Sequence, residues 1–300
     1  MYSTTQRMSN SLRTFILMAG LTALLVGVGY MIGGSGGMLV FVALAVAMNF
    51  AMYWFSGPMA LKMSRAREVS AAEEPELHRM IGELARRAGV PMPKVYVTPD
   101  EQANAFATGR NPKHAAIAVT QGIRTALPPA ELEGVLAHEM AHIKNRDILI
   151  ASVAAMIAGA IGAVVNVLQF SMLFGGGDDE DNGPLGAFGA IIAVVFASLA
   201  ATVIQLAISR QREYRADATG AQLLGDPIPL ADALMRLQHG AQMNPMAVRE
   251  STASLYIVNP FGGMGRQMAG WFSTHPPMDE RVRRLRAMAG AGAGFSRAMA

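Results

Sequence analysis

Residues 14–61, TFILMAGLTALLVGVGYMIGGSGGMLVFVALAVAMNFAMYWFSGPMAL, hold 48 positions without a charged side chain, bounded by Arg13 and Lys62. A helix needs about 20 apolar residues to cross the hydrocarbon core of a bilayer. Two such helices fit here, at about 14–32 and 38–55, with Gly33-Gly34-Ser35-Gly36-Gly37 as a tight turn between them. A cleaved signal peptide would account for the first arm alone and leave the second without a role. The run therefore predicts a transmembrane hairpin.

Two more apolar segments follow, at 148–174 and 185–209, around the acidic stretch Gly175-Gly176-Gly177-Asp178-Asp179-Glu180-Asp181-Asn182. A soluble bundle can bury one helix of this kind, but four charge-free segments predict four transmembrane helices. Asn166, Gln169 and Gln205 would need partners in lipid and are expected to face the bundle. Lys and Arg cluster at one end of each segment: Arg7 and Arg13, then Lys62, Arg65 and Arg67, then Lys144 and Arg146, then Arg210, Arg212 and Arg215. Neither hairpin turn carries a Lys or Arg. The positive-inside rule then puts both termini and both polar regions in the cytoplasm. The expected organisation is a membrane hairpin at 1–60, a polar region at 61–147, a second hairpin at 148–209 and a second polar region at 210–300.

Composition agrees. Charged residues are 16% of the chain and apolar ones 52%, and the net charge is only +3, which gives no reason to expect a nucleic-acid partner. There is no cysteine, so disulfides and thiolate metal ligands are excluded. Any metal site must use His, Asp or Glu. The 22 methionines read as flexible apolar filler.

The first polar region predicts a small α+β unit. Residues 73–88 read as an amphipathic helix with Leu77, Met80, Ile81 and Leu84 on one side, ended by Gly89 and Pro91. Strands are expected at 94–98, 103–108 and 115–120, the last two joined by Gly109-Arg110-Asn111-Pro112. A helix opens at Pro128-Pro129 and is expected to run through Asp147 toward the third apolar segment. In the second region the fourth segment should continue as helix through Asp217, with looser structure at Gly220 and Gly225-Asp226-Pro227. Further helices are expected at 229–239 and 279–288.

The helix after Pro129 contains His138-Glu139-Met140-Ala141-His142. Residues four apart share a helix face, so both imidazoles can reach one ion. Glu139 is placed to take a proton from water on a zinc ion, and zinc also polarises a carbonyl, which together hydrolyse a peptide bond. A catalytic zinc usually has a third protein ligand. Glu213 is the best candidate. The third and fourth segments are joined by a short loop and should pack antiparallel. Glu213 lies four residues past the fourth and His142 six before the third, so both sit within about one helical turn of the same height at 1.5 Å per residue. Pairing of Glu213 with Arg210 or Arg212 is the alternative. Asp217, one turn on, is the natural acceptor for a ligand histidine's second N–H. Asp147, five residues past His142, is the second candidate for that acceptor and reads first as a helix-end or interfacial charge.

The order of two spans, HEMAHIKNRD (138–147), two more spans, EYRAD (213–217) and FSTHPP (272–277) resembles the HtpX family of membrane metalloproteases, bacterial relatives of the CAAX prenyl endopeptidases. The resemblance covers about residues 10–288. It implies a zincin-like cytoplasmic domain, one zinc per subunit on His138, His142 and Glu213, Glu139 as general base and Asp217 as a supporting acid. It also implies that Asn104, Ala105, Phe106 and Ala107 form an edge strand that pairs with substrate backbone, which agrees with the strand expected there. A turn or strand-start role is the alternative for Asn104. His275 resembles a histidine that stabilises the oxyanion, and Arg281 an arginine near the site. Either can donate toward developing negative charge. Loop stiffening by Pro276-Pro277 and a capping or pairing role for Arg281 on the last helix are the alternatives.

The function implied is zinc-dependent endopeptidase action on misfolded or damaged membrane proteins, as quality control under heat or envelope stress, at the cytoplasmic face of a bacterial inner membrane. Partners would be polypeptide substrates and the lipid bilayer, with the oligomeric state left open. Two other classes compete with it: a zinc or ion transporter, and an inactive membrane scaffold. Carriers place ligands at mid-membrane on broken helices, whereas here no Asp or Glu falls inside a span. The intact Glu139 speaks against a dead scaffold.

Overall fold

The computed structural model describes residues 4–153, 210–243 and 276–298. The acidic stretch 175–182, nearly all of the third and fourth apolar segments, and His275 lie outside the described residues.

Helix α1 (Thr4–Met63) is a hairpin of two helical arms. Helical geometry is lost at Gly33 (φ −139°, ψ 22°) and Gly34 (φ 57°, ψ −141°), within the predicted turn. The arms then pack against each other. The Asn49 side-chain N–H donates to Thr22 Oγ1 at 2.8 Å, bridging residues that flank the glycine run almost symmetrically. A Cβ on Gly29 would lie 2.6 Å from Phe41 Cβ, so small residues let the backbones approach. Residues 33–63 are long and apolar enough to cross a membrane, with a mean hydropathy of 2.0 and only 11% of the span buried. Leu39, Val40, Val46, Phe50 and Phe55 are exposed along it. A core helix of a soluble protein would not leave them so.

The sheet follows. Strands β1 (Arg67–Glu68), β2 (Lys94–Thr98), β3 (Ala105–Gly109) and β4 (Ala115–Thr120) lie in the order β1-β2-β4-β3. β2 and β4 are parallel, and β3 returns antiparallel to β4 with Phe106 opposite Ala118. β3 is therefore an edge strand, as expected from the sequence. Both faces of the sheet are covered. Val95, Ala105, Ala107, Ile117 and Val119 pack toward α2 (Pro75–Ala88) and α4 (Pro129–Asn145). Phe106, Ala116 and Ala118 pack against Ala60 and Leu61 at the foot of α1. The helical hairpin thus ends as one layer of the sheet domain. Full burial of a side chain such as Ile117 stabilises by about 1.5–3 kcal/mol.

Helices α5 (Arg210–Leu224), α6 (Ile228–Met243) and α7 (Met278–Ala298) complete the fold, with α5 and α6 against α4 and α7 against α5 and α6. The short helix α3 (Gln121–Ala126), capped by Thr120 Oγ1 accepting from the Ile123 N–H, and the two-residue strand β1 are not foreseen by periodicity. They are too short to show any. Two expectations are corrected. Helix α4 does not run through Asp147. It stops at Asn145 because Arg146 takes the left-handed conformation (φ 60°), and helix resumes at residues 148–153. Gly220 does not loosen the chain either. α5 continues past it to Leu224, and a Cβ on Gly220 would lie 3.0 Å from the His138 backbone nitrogen. This glycine lets α5 lie close against α4.

Gly134 performs the same service between α4 and α6. Alanine is the better helix former by about 1 kcal/mol, but its methyl would sit 2.8 Å from Leu230 N. Overpacking costs about 1–3 kcal/mol. Gly134→Ala is therefore expected to lower the melting temperature of the detergent-solubilised protein. A rise would show that the two helices part freely.

Candidate metal centre

Helix α4 carries His138, Glu139 and His142, and α5 carries Glu213 and Asp217, so a close crossing of two helices assembles groups 71–79 residues apart. His138 Nε2 and His142 Nε2 are 3.1 Å apart. Glu213 reaches His138 Nε2 at 3.6 Å and His142 Nε2 at 3.7 Å, one carboxylate oxygen to each. Two ligands at about 2.05 Å on a tetrahedral zinc stand about 3.3 Å apart. The two Nε2 atoms are close to that spacing, and with one oxygen of Glu213 they form a group that could hold one metal ion, the donor atoms all within 4.8 Å of one another.

The opposite edges of both rings are held by carboxylates. His138 Nδ1 is 3.0 Å from Asp217, and His142 Nδ1 is 3.2 Å from Asp147. When each Nδ1–H donates outward, both Nε2 lone pairs point inward at each other. That arrangement is repulsive without a cation between them. Charge points the same way. Glu139, Glu213, Asp217 and Asp147 are all buried, and Arg281 pairs with Asp217 and comes within 4.0 Å of Glu213. Arg212 on α5 is buried too, and with neutral histidines the four carboxylates outnumber these two guanidiniums among the described residues. A divalent cation offsets that excess. Without one, protons do: burial disfavours the His138 imidazolium, but hydrogen bonds to Asp217 and Glu213 outweigh it and push the pKa up to about 9. His142 is raised also, burial being outweighed by Asp147 and Glu213.

Arg281 enters from α7 and is fully buried. Its Nε and Nη2 donate to the two oxygens of Asp217 at 2.8 and 2.7 Å. Burial would raise the Asp217 pKa, but this guanidinium and His138 hold it down at about 2. Arg281 Nη2 also lies 3.4 Å from His138 Nδ1. Both are donors when Nδ1 carries its proton, so the approach reflects the acceptor they share. The guanidinium thus stands behind Asp217, not at an open position facing Glu139.

Glu139 Oε2 accepts the Ala107 N–H at 2.7 Å, so the edge strand touches the carboxylate between the two histidines. Asn104 is buried, its N–H donating to Thr120 Oγ1 and its carbonyl accepting the Thr120 N–H. Ala105 and Phe106 follow it in β3. Sequence reasoning ranked Asp147 behind Asp217 as a histidine's acceptor, and the structure puts it against His142. The Arg281–Asp217 pair was missed as well, since nothing in spacing joins residues 64 apart.

Arg281→Ala would leave Asp217 buried without its main counter-charge. Breaking a buried pair this way costs about 3–5 kcal/mol. The double variant Asp217→Asn with Arg281→Met should cost less than the sum of its parts, read by chemical unfolding in detergent. Additive losses would show that the pair is not coupled.

The comparisons with known proteins agree with this geometry. The profile of peptidase family M48 matches residues 71–289. A protease HtpX homolog of Persephonella marina is 52% identical over 284 residues, covering 93% of this chain and 98% of that one. Another, from Pyrococcus furiosus, is 50% identical over 279 residues, 92% of this chain and 95% of that one. The crystal structure of S. mikatae Ste24p shares the fold with a TM-score of 0.51 at 18% identity, covering 94% of this chain and 67% of that one. With a family match across most of the chain and HtpX relatives near 50% identity over almost its full length, the chain belongs to peptidase family M48 and is a membrane metalloprotease.

Proposed function

We propose that the chain is a zinc endopeptidase that cleaves misfolded or damaged membrane proteins at the cytoplasmic face of a bacterial inner membrane. The observation that carries this reading is the convergence of His138 Nε2, His142 Nε2 and a Glu213 oxygen within 4.8 Å of one another, with Glu139 on the same helix as the two histidines. A donor set of two imidazoles and a carboxylate suits zinc, one ion per subunit. Four spans, at 14–32, 38–55, 148–174 and 185–209, would seat the site just inside the membrane. The hairpin at 1–60 and the cytoplasmic regions at 61–147 and 210–300 follow from that topology, as does the second hairpin at 148–209. The long exposed apolar arm of α1 and the positions of Lys and Arg support it.

Zinc bound there would polarise the scissile carbonyl and acidify an attacking water. Glu139 takes the water's proton and hands it to the leaving amine. The Ala107 N–H fixes the carboxylate in place for both transfers. Asp217 and Asp147 orient the two ligand histidines from behind. Arg281 is assigned a positioning role through Asp217, and His275 the oxyanion. Substrate backbone adds to the edge formed by Asn104, Ala105, Phe106 and Ala107, which makes binding tolerant of sequence.

Glu139→Gln is expected to keep zinc and abolish cleavage of an unfolded membrane-protein substrate by purified enzyme. Persistent cleavage would overturn the mechanism. Glu213→Ala is expected to lower zinc per chain, and unchanged stoichiometry and affinity would remove Glu213 from the ligand set. The raised histidine pKa values add a pH dependence. Histidines protonated in the metal-free protein must release protons to bind metal. Zinc affinity should therefore climb with pH and flatten above about 9, the His138 value. Competition titrations against a chelator across pH 6–10 would check this, and a flat profile would contradict it.

A further inference from the structure

Helix α4 ends abruptly at Asn145, two residues before Asp147. Arg146 adopts φ 60°, and among the described residues only it and Arg65 do so without being glycine. The conformation is unfavourable for a residue with a Cβ. What it achieves is visible at the next residue. On a straight helix, position i+5 lies about 140° around the axis from position i, so an Asp147 in continuous helix would point away from His142. The left-handed step brings the chain back instead. The Arg146 N–H closes on the Ile143 carbonyl at 3.1 Å and the Asp147 N–H on the His142 carbonyl at 2.9 Å. The Asp147 carboxylate then meets His142 Nδ1 at 3.2 Å, and both groups are largely buried. The Asp147 carbonyl also accepts the Ala151 N–H, which starts the helical residues 148–153 at the head of the third apolar segment.

We infer that Asp147 is a positioning residue for His142. It accepts the hydrogen bond from Nδ1–H, which keeps the proton on Nδ1 so that Nε2 presents its lone pair to the metal, as Asp217 does for His138. This rests on the reading of His138, His142 and Glu213 as metal ligands. The two histidines of one helix would then be oriented from opposite directions. Asp217 reaches His138 from a neighbouring helix, and Asp147 reaches His142 from the turn that ends its own. Because Asp147 also begins the next helix, the seat of the third apolar segment is tied by one residue to a ligand.

The test is zinc affinity of the full-length protein in detergent, measured by chelator competition and independent of activity. Asp147→Ala is expected to weaken zinc about 10–100-fold, the usual effect of removing a partner of a ligand histidine. Asp147→Asn, whose amide oxygen still accepts, should lose less. Arg146→Gly, which keeps the carboxylate and eases the left-handed step, should bind as wild type does. In a His142→Ala background, adding Asp147→Ala should cause no further loss, because its effect passes through that ring. In a Glu213→Ala background it should keep its full effect. Wild-type affinity in Asp147→Ala would overturn the inference, and so would an undiminished further loss without His142. If Asp147→Ala does not fold, Asp147→Asn takes its place in the same cycle and is read in the same way. If wild type binds no zinc, or His142→Ala leaves its binding unchanged, the ligand reading itself fails, which is a distinct outcome.

Discussion

The buried excess of negative charge between α4 and α5 is the constraint on which the site depends. Four buried carboxylates gather around His138 and His142, and two buried guanidiniums, Arg212 and Arg281, lie on the helices beside them, Arg281 paired with Asp217. Burying an unpaired charge is costly enough that proteins neutralise it or pair it. Here the pairing is graded. Asp217 is held from two sides, by Arg281 and by His138, and stays ionised. Glu213 faces inward between two imidazole nitrogens. A cation at the centre completes the set, and in its place protons do so by raising the histidines. The M48 chemistry therefore follows from an electrostatic demand that the fold creates.

That demand can be met only if α4 and α5 lie very close. Gly220 faces the backbone of Ala137 and His138 with no room for a side chain, and Gly134 faces Leu230 in the same way on α6. Two glycines inside helices each cost about 1 kcal/mol in propensity relative to alanine. The cost is offset by contact between helices whose carboxylates and imidazoles must come within hydrogen-bond range. The membrane hairpin contributes a third constraint. Its foot covers the second face of the sheet through Ala60 and Leu61. Arg110, in the turn after β3, lies over Trp54 at 4.3 Å, and Gly57 packs against Gly109. The edge strand is thereby fixed to the membrane arm on one side and to the ligand helix on the other.

Much of this was legible in the sequence where a period or a height argument applied. His138 and His142 share a helix face by arithmetic, and Glu213 follows from antiparallel spans joined by a short loop. The three main strands fall within about two residues of where alternation places them. The failures have a common cause. Gly220 reads as a breaker because sequence shows a missing side chain and not the neighbour that requires its absence. Arg146 reads as helical because a left-handed arginine has no signature, and with it went the turn that returns Asp147 to His142. The bond of Arg281 to Asp217 joins two helices 64 residues apart, and no local rule reaches that far. Sequence periodicity captures which face a residue occupies. It does not capture close approach between elements, and the site is built from close approaches.

The same consideration bears on the edge strand. In β3, the pairing of Asn104 with Thr120 and of Phe106 with Ala118 turns the main-chain groups of even-numbered residues toward β4. Those of Ala105 and Ala107 therefore point away from the sheet, in the direction an added strand would occupy. The Ala107 N–H meets Glu139 there at 2.7 Å. A peptide laid along this edge would run beside the proposed general base, its register set by the outward groups of Ala105 and Ala107. Side chains on one face of β3 meet α1 and those on the other meet α4, so the strand has little freedom to shift. Proton transfer is sensitive to misplacement of well under an ångström. A base that shares a hydrogen bond with the strand proposed to hold its substrate cannot drift relative to it.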